Sequence, residues 1–346
     1  MRKILASALI SALTMVAVVV AVFTVGCGTA TQNAALAQPA PTTAEGILTQ
    51  ALASSGNITS GTGEFNVSVA IDADAAKLPA GSGAFLGQPI TLSGTFAFSD
   101  NPQAAEATIN ASIAGQTIPL GLKAVDDKVW IQFMGQWYEA PADMMGTGTT
   151  GTTAKEADIA GILQALTAAG VDPTTWMTNL TLVGEDSIDG TPTYHLSGTI
   201  DINKVMTDVM KLMQDKTIQG MLPPIGSGMM GTTGSSITMP SPQDLQGLQS
   251  QLGAMFKNVT VDMWIAKDSY QFRQVELNAS IVPPAGQDAQ GINGIALKAS
   301  VSIAPATTPL TVTPPAGAKP FSELEQSLSG LMGLFSGALG GAATGQ

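Results

Sequence analysis

Two residues in this chain are singular in type and could do chemistry by themselves: one histidine, His195, and one cysteine, Cys27. His195 stands in "TPTYHLSGTID", Thr191 to Asp201. A catalytic histidine needs a nucleophile or a carboxylate in reach. Serines are plentiful, but none sits in a G-x-S-x-G elbow. Tyr194, Leu196 and Ile200 alternate along one side of the predicted strand, so His195 points to the other side with Ser197 and Thr199. In a sheet with one greasy face that is the solvent side. One Cys and one His exclude the usual zinc ligand sets. The acids Asp72 and Asp74, and Glu185, Asp186 and Asp189, lack the glycine placement and closing glutamate of a calcium loop. They read as solvated turns at strand ends. The expectation is a protein that is not an enzyme and carries no metal and no cofactor.

Cys27 takes its meaning from its position. Arg2 and Lys3 precede an apolar run from Ile4 to Val25, and Gly26-Cys27 follows. This is the layout of a secretory signal peptide over residues 1–26. A Cys after a small residue at the end of that run matches a bacterial lipobox, with Thr24 where Leu is usual. Cleavage there would leave Cys27 as a lipidated N-terminus. The alternative is an uncleaved anchor, because the run is long enough to span ~30 Å of hydrocarbon. Both readings put the protein on the outer face of the bacterial cytoplasmic membrane.

The remaining sequence must supply a scaffold. Residues 27–42 carry no charge and no period, and read as the lipidated Cys and a flexible tether. A short amphipathic helix follows, with Ile47, Leu48, Ala51 and Leu52 on one stripe behind a Thr cap. The period then changes to two. "GEFNVSVAID", "ITLSGTFAFSD", "ATINASIAGQTIPLGLKAV" and "DDKVWIQFMGQWYEAP" alternate as strands and hairpins. A helix is predicted over 155–169, then strands at "LTLVGEDSI" and "TPTYHLSGTI", then a helix behind Asp201. Residues 217–243, rich in Gly, Met and Pro, form a flexible insertion. Strands return in "VTVDMWIAKDSYQFRQVELNASIV" and "GINGIALKASVSI", "PFSELEQSL" closes as a helix, and 329–346 is a disordered tail. About ten strands with few helices make an α+β fold around one large antiparallel sheet, and a sheet this wide tends to curl.

Composition narrows the partners. Charged residues are 12 % of the chain, about half the usual share, and the formal charge is −12. No basic patch exists to displace counterions, so no nucleic-acid partner is expected.

The order of elements then becomes informative. "LTLVGEDSIDGTPTYHLSGTID" and "VTVDMWIAKDSYQFRQVEL" resemble the strand–turn–strand and hairpin segments of the LppX/LprAFG lipoproteins, relatives in shape of the LolA and LolB carriers. "GQWYEAP" is a further match, and the resemblance runs over residues 43–328. The 217–243 insertion departs from the pattern. The resemblance implies a LolA-like lipid-binding domain, a strongly curved antiparallel half-barrel with helices over its concave face, that holds acyl chains in the hollow and carries lipids or lipoproteins across the cell envelope.

Alternation selects the lining of such a cavity. On the N-terminal strands it is Phe65, Val67, Ile90, Leu92 and Phe96, then Ile118, Leu120 and Ile131. On the C-terminal half it is Tyr194, Leu196 and Met263, with Met206 from the helix behind Asp201. The expected partners are lipids or acylated molecules, the membrane through the acyl anchor, and an envelope transport partner of unknown identity. The rival expectation is a structural or adhesion lipoprotein whose half-barrel is filled by its own side chains.

Overall fold

The computed structural model describes residues 41–54, 58–77, 88–113, 115–126, 128–141, 170–214, 253–283 and 291–327. The signal segment, Cys27, the tether up to residue 40, the helix expected at 155–169, the 217–243 insertion and the 329–346 tail lie outside them.

Twelve strands form one open sheet. They are β1 (Ser60–Ala73), β2 (Ile90–Asp100), β3 (Gln103–Ile113), β4 (Gln116–Val125), β5 (Lys128–Phe133) and β6 (Gln136–Glu139). Then come β7 (Met177–Ile188), β8 (Thr191–Ile200), β9 (Phe256–Ala266), β10 (Phe272–Ile281), β11 (Ile292–Pro305) and β12 (Lys319–Pro320). The spatial order is β12-β6-β5-β4-β3-β2-β1-β11-β10-β9-β8-β7. Each half is a simple up-and-down meander, and one antiparallel seam between β1 and β11 joins them. β7 and β12 lie at opposite ends, so the sheet is a curved half-barrel and does not close.

Register turns the period-two pattern into two chemically distinct faces. Phe65 lies opposite Gly94, Gly94 opposite Ile109, Ile109 opposite Leu120, and Leu120 opposite Phe133. Across the seam, Phe65 lies opposite Val301, then Val275, Met263 and Leu196 follow in the same row. Glu64, Thr95, Thr108 and Gln132 belong to the opposite, polar face.

Two helices pack on the apolar face. In α1 (Ala44–Ser54), Thr43 Oγ1 accepts from the Gly46 amide at 3.2 Å, the cap the sequence led us to expect. Ile47, Leu48 and Ala51 are fully buried. In α2 (Ile202–Gln214), Asp201 Oδ1 accepts from the Lys204 amide at 3.1 Å, and Ile202 and Val205 are buried in the core.

α2 is also held by a buried carboxylate. Asp208 is 1 % exposed and accepts from Trp176 Nε1 at 2.9 Å and from Lys211 Nζ at 2.8 Å, with Lys204 Nζ at 3.5 Å. Trp176 is 1 % exposed and ends a 3-10 turn (Pro173–Trp176) whose start is capped by Asp172. One carboxylate thus ties α2 to the turn that enters β7. Burial works to raise the Asp208 pKa, but the donors Lys211 and Trp176 and the nearby lysine charges outweigh it, so the net shift is downward.

After β11 the chain returns to the far edge of the sheet. Ala306 N donates to Ser60 O at 2.9 Å, Lys123 Nζ donates to Thr313 O at 3.3 Å, and Lys319 and Pro320 pair in parallel with Tyr138 and Glu139. The sequence did not suggest β12, because a two-residue parallel pairing leaves no alternation. Residues 321–327 are helical, as expected.

Replacing Asp208 by Leu orphans the buried Trp176 N–H, while both lysines can still reach water. We expect a loss of about 1–3 kcal/mol in urea unfolding at pH 7, and a smaller loss for Asp208→Asn. The folded pKa is depressed, so this stabilisation is present above the ordinary carboxylate value near ~3.9 and fades as pH falls through the lower folded value. The gap between wild type and Asp208→Asn should therefore close in acid.

Candidate functional site

The register places the expected lining strand residues on one face. Phe65, Val67, Ile90, Leu92 and Phe96 share it with Ile118, Leu120 and Ile131, and with Tyr194, Leu196 and Met263 across the seam. Met206 packs against the same core from α2. The face is not uniform. On the C-terminal half, Leu196 and Met263 are completely buried, with Val261, Ile265 and Val275 around them. Phe65, Val67, Ile90 and Phe96 are half-buried at the margin of that core. Among the described residues, Leu92, Ile118, Leu120 and Ile131 are half-buried and are not part of the core cluster. Leu122 and Ile113 beside them are exposed. Among the described residues, the apolar face is therefore sealed over its C-terminal half and only half-buried at Leu92, Ile118, Leu120 and Ile131, although Val129 and Tyr138 near the far edge are buried.

Glycine shapes the boundary between the two regions. A Cβ on Gly94 would come within 3.0 Å of the Phe65 ring, and one on Gly63 would strike the Phe96 ring. Both rings can lie across a bare backbone only because no side chain stands there, which makes the floor flat and aromatic.

At the end of the sealed half the apolar wall becomes polar. Tyr194 and Tyr270 stack with ring centres 6.3 Å apart, and Lys267 Nζ stands 5.1 Å from the Tyr194 ring centre and pairs with Glu185. Burial, then the neighbouring Tyr194, push the Tyr270 pKa upward. Close by, Arg273 Nε is buried without a hydrogen-bond partner, and burial lowers the Arg273 pKa although Asp268 opposes it.

His195 lies on the polar face, as alternation implied. Its Nε2 donates to Asp262 Oδ1 at 3.0 Å, and its ring stacks on Trp264 with centres 4.5 Å apart and planes 10° from parallel. Trp264 Nε1 in turn donates to Asp186 Oδ2 at 3.2 Å. The Ser187 amide, Trp264 and the charge of His195 hold the Asp186 carboxyl below its usual range. This chain of contacts fastens the tip of the β7–β8 hairpin. Asp189 and Gly190, both at positive φ (49° and 78°), make its turn, and β7 carries two register shifts that bend it. The acids Glu185 and Asp186, read from sequence as solvated turn residues, thus serve as fastenings.

The bent tip helps enclose a groove of about 730 Å³. The resemblance implied a hollow on the apolar side, under the helices and beside Met206. This groove is on the other side of the sheet. Its floor comes from β1 to β6 and from β10 and β11, and Ser187, Ile188 and Asp189 stand at one wall. Trp137 stands at the opposite wall, and a Cβ on Gly121 would meet its ring at 3.1 Å and Gln132 at 3.0 Å. Sequence reading used "GQWYEAP" only as a structural match and did not single out Trp137. No local motif marks a groove assembled from nine strands.

No family model matches the chain, and no curated protein matches it. Solved structures do. The lipoprotein LppX of Mycobacterium tuberculosis is 15 % identical, with a TM-score of 0.33 over 78 % of this chain and 98 % of its own. LprF of Mycobacterium bovis is also 15 % identical, with a TM-score of 0.33 over 79 % of this chain and 97 % of its own. A LolA superfamily protein of Nitrosomonas europaea is 11 % identical, with a TM-score of 0.20 over 79 % of this chain and 96 % of its own.

If Trp264 and Asp186 fasten the hairpin tip, Asp186→Ala frees it without unfolding the core. Hydrogen exchange should show amides 184–190 opening roughly tenfold faster or more, with the β8–β10 amides unchanged. Unchanged exchange at the tip would remove this role.

Proposed function

We propose that this protein is a membrane-anchored lipoprotein that binds lipid acyl chains on the apolar face of its half-barrel and carries or transfers lipids or lipoproteins across the cell envelope. One observation carries the reading. The face formed by Leu92, Ile118, Leu120, Ile131 and Leu122 is apolar in register across β2 to β5, yet among the described residues it stays outside the core cluster. An acyl chain laid there removes surface from water at roughly 25 cal/mol per Å², on both the chain and the wall. Aliphatic side chains select by length and volume, so selectivity among acyl chains is loose. Nothing in this reading asks for a catalytic residue, and the protein acts as a carrier.

Cys27, diacylated, would hold the carrier at the outer face of the cytoplasmic membrane. Each buried methylene contributes about 0.8 kcal/mol, so two chains anchor it firmly where one would not. The tether from residue 28 to 42 leaves the domain room to load and deliver.

The acyl-binding reading is tested with a fluorescent dansyl fatty acid on the purified chain. Leu120→Arg and Ile131→Arg should each weaken binding roughly tenfold or more, because they put a charge on the acyl path. Urea midpoints should stay close to wild type, since neither residue belongs to the core. A chain that binds no probe, and carries no lipid in native mass spectrometry, would instead be the self-filled structural lipoprotein.

The anchor is tested separately. Cys27→Ala should abolish metabolic incorporation of an alkynyl fatty acid and move the protein out of the membrane fraction. Retention in the membrane without label would mean an uncleaved apolar span.

A further inference from the structure

We propose that the groove on the polar face is a binding site for a neutral oligosaccharide, separate from the acyl site and independent of it. Three features argue for this ligand chemistry. The first is an aromatic platform. Trp137 reaches from β6 across β5 to β4, where Gly121 leaves it room to lie over the backbone. The C–H face of a pyranose is apolar and flat and suits an indole placed this way, while its hydroxyls need polar partners around the rim.

The second is a set of unengaged acceptors. Glu64, Glu106 and Asp189 line the groove, and among the described residues their carboxylates make no ion pair or hydrogen bond. Glu106 is the most telling. It lies directly opposite Lys123 in the β3–β4 register, where a salt bridge is the ordinary outcome. Lys123 turns away instead, toward the Trp137 ring at 5.6 Å and the Thr313 carbonyl at 3.3 Å. Glu106 is left facing the groove as an acceptor for ligand hydroxyls.

The third is charge. Three carboxylates against one lysine disfavour phosphate and other anions. A cationic ligand is repelled by Lys123, whose ammonium stands over the indole 5.6 Å from its ring centre. A neutral polyol meets no charge repulsion. Threonine hydroxyls at Thr62, Thr95 and Thr108 add donors and acceptors along the floor. The volume of about 730 Å³ is in the range of small-ligand sites and leaves room for more than one sugar ring.

The test is saturation-transfer NMR on the full chain with cellotriose, mannotriose and chitotriose at millimolar concentration. At least one should receive saturation. Trp137→Ala, Glu106→Gln and Gly121→Val should each weaken its binding roughly tenfold or more. Binding of the dansyl fatty acid should be unchanged in all three, which also shows that they fold. Glu106→Gln keeps the side chain's shape, so it decides the matter if Trp137→Ala fails to fold. No transfer to any trisaccharide overturns the proposal. So does transfer that survives Glu106→Gln undiminished, or competition by spermidine, which would mark a site for cations.

Discussion

Among the described residues, the structure depends on an imbalance between a wide sheet and the two helices, α1 and α2, that pack on its core. An antiparallel sheet with one greasy face must hide that face. Of the described helices, α1 and α2 both contribute to the core centred on β8 to β11. There Leu196, Met263 and Ile265 are sealed completely. The N-terminal strands carry the same alternation, but Leu92, Leu120 and Ile131 lie outside the core cluster of the described residues. Under the proposed function, stability and binding divide along the strand order, and a single period-two pattern provides both.

The polar face is organised by contacts that anchor one hairpin. His195, Trp264 and Asp186 form a relay of stacking and hydrogen bonds that fixes the bent tip of β7–β8. Lys123, Trp137 and Gly121 do a comparable job on the far side, with the returning C-terminal segment holding Lys123 in place. The sequence's one histidine therefore matters for geometry. It braces a tryptophan, and the tryptophan braces the wall of a groove.

Most of the fold was legible because its signals are local. Strand alternation in "GEFNVSVAID" and "ITLSGTFAFSD", the caps at Thr43 and Asp201, and the orientation of His195 all follow from periods of two or 3.6. What was not legible depends on distance. The partition of the apolar face arises from where α1 and α2 come to rest, and nothing in Leu120 or Leu196 alone distinguishes a binding wall from a sealed core. The reach of Trp137 to Gly121 spans three strands, and the fastening of Asp186 by Trp264 spans 78 residues of chain. β12 rests on two backbone pairings and has no side-chain signature.

The seam between β1 and β11 also sets an order of assembly. The N-terminal meander needs only neighbouring hairpins, so β1 to β6 can begin pairing as soon as they emerge. The edge of β1 finds its partner only when Ile292–Pro305 has been made, more than two hundred residues later. Until then a newly made chain presents a bare strand edge beside a greasy surface, the combination that most readily recruits a wrong neighbour. Attachment of the N-terminus to a membrane during that interval would keep nascent copies apart, and would offer the surface a lipid before it could meet another chain.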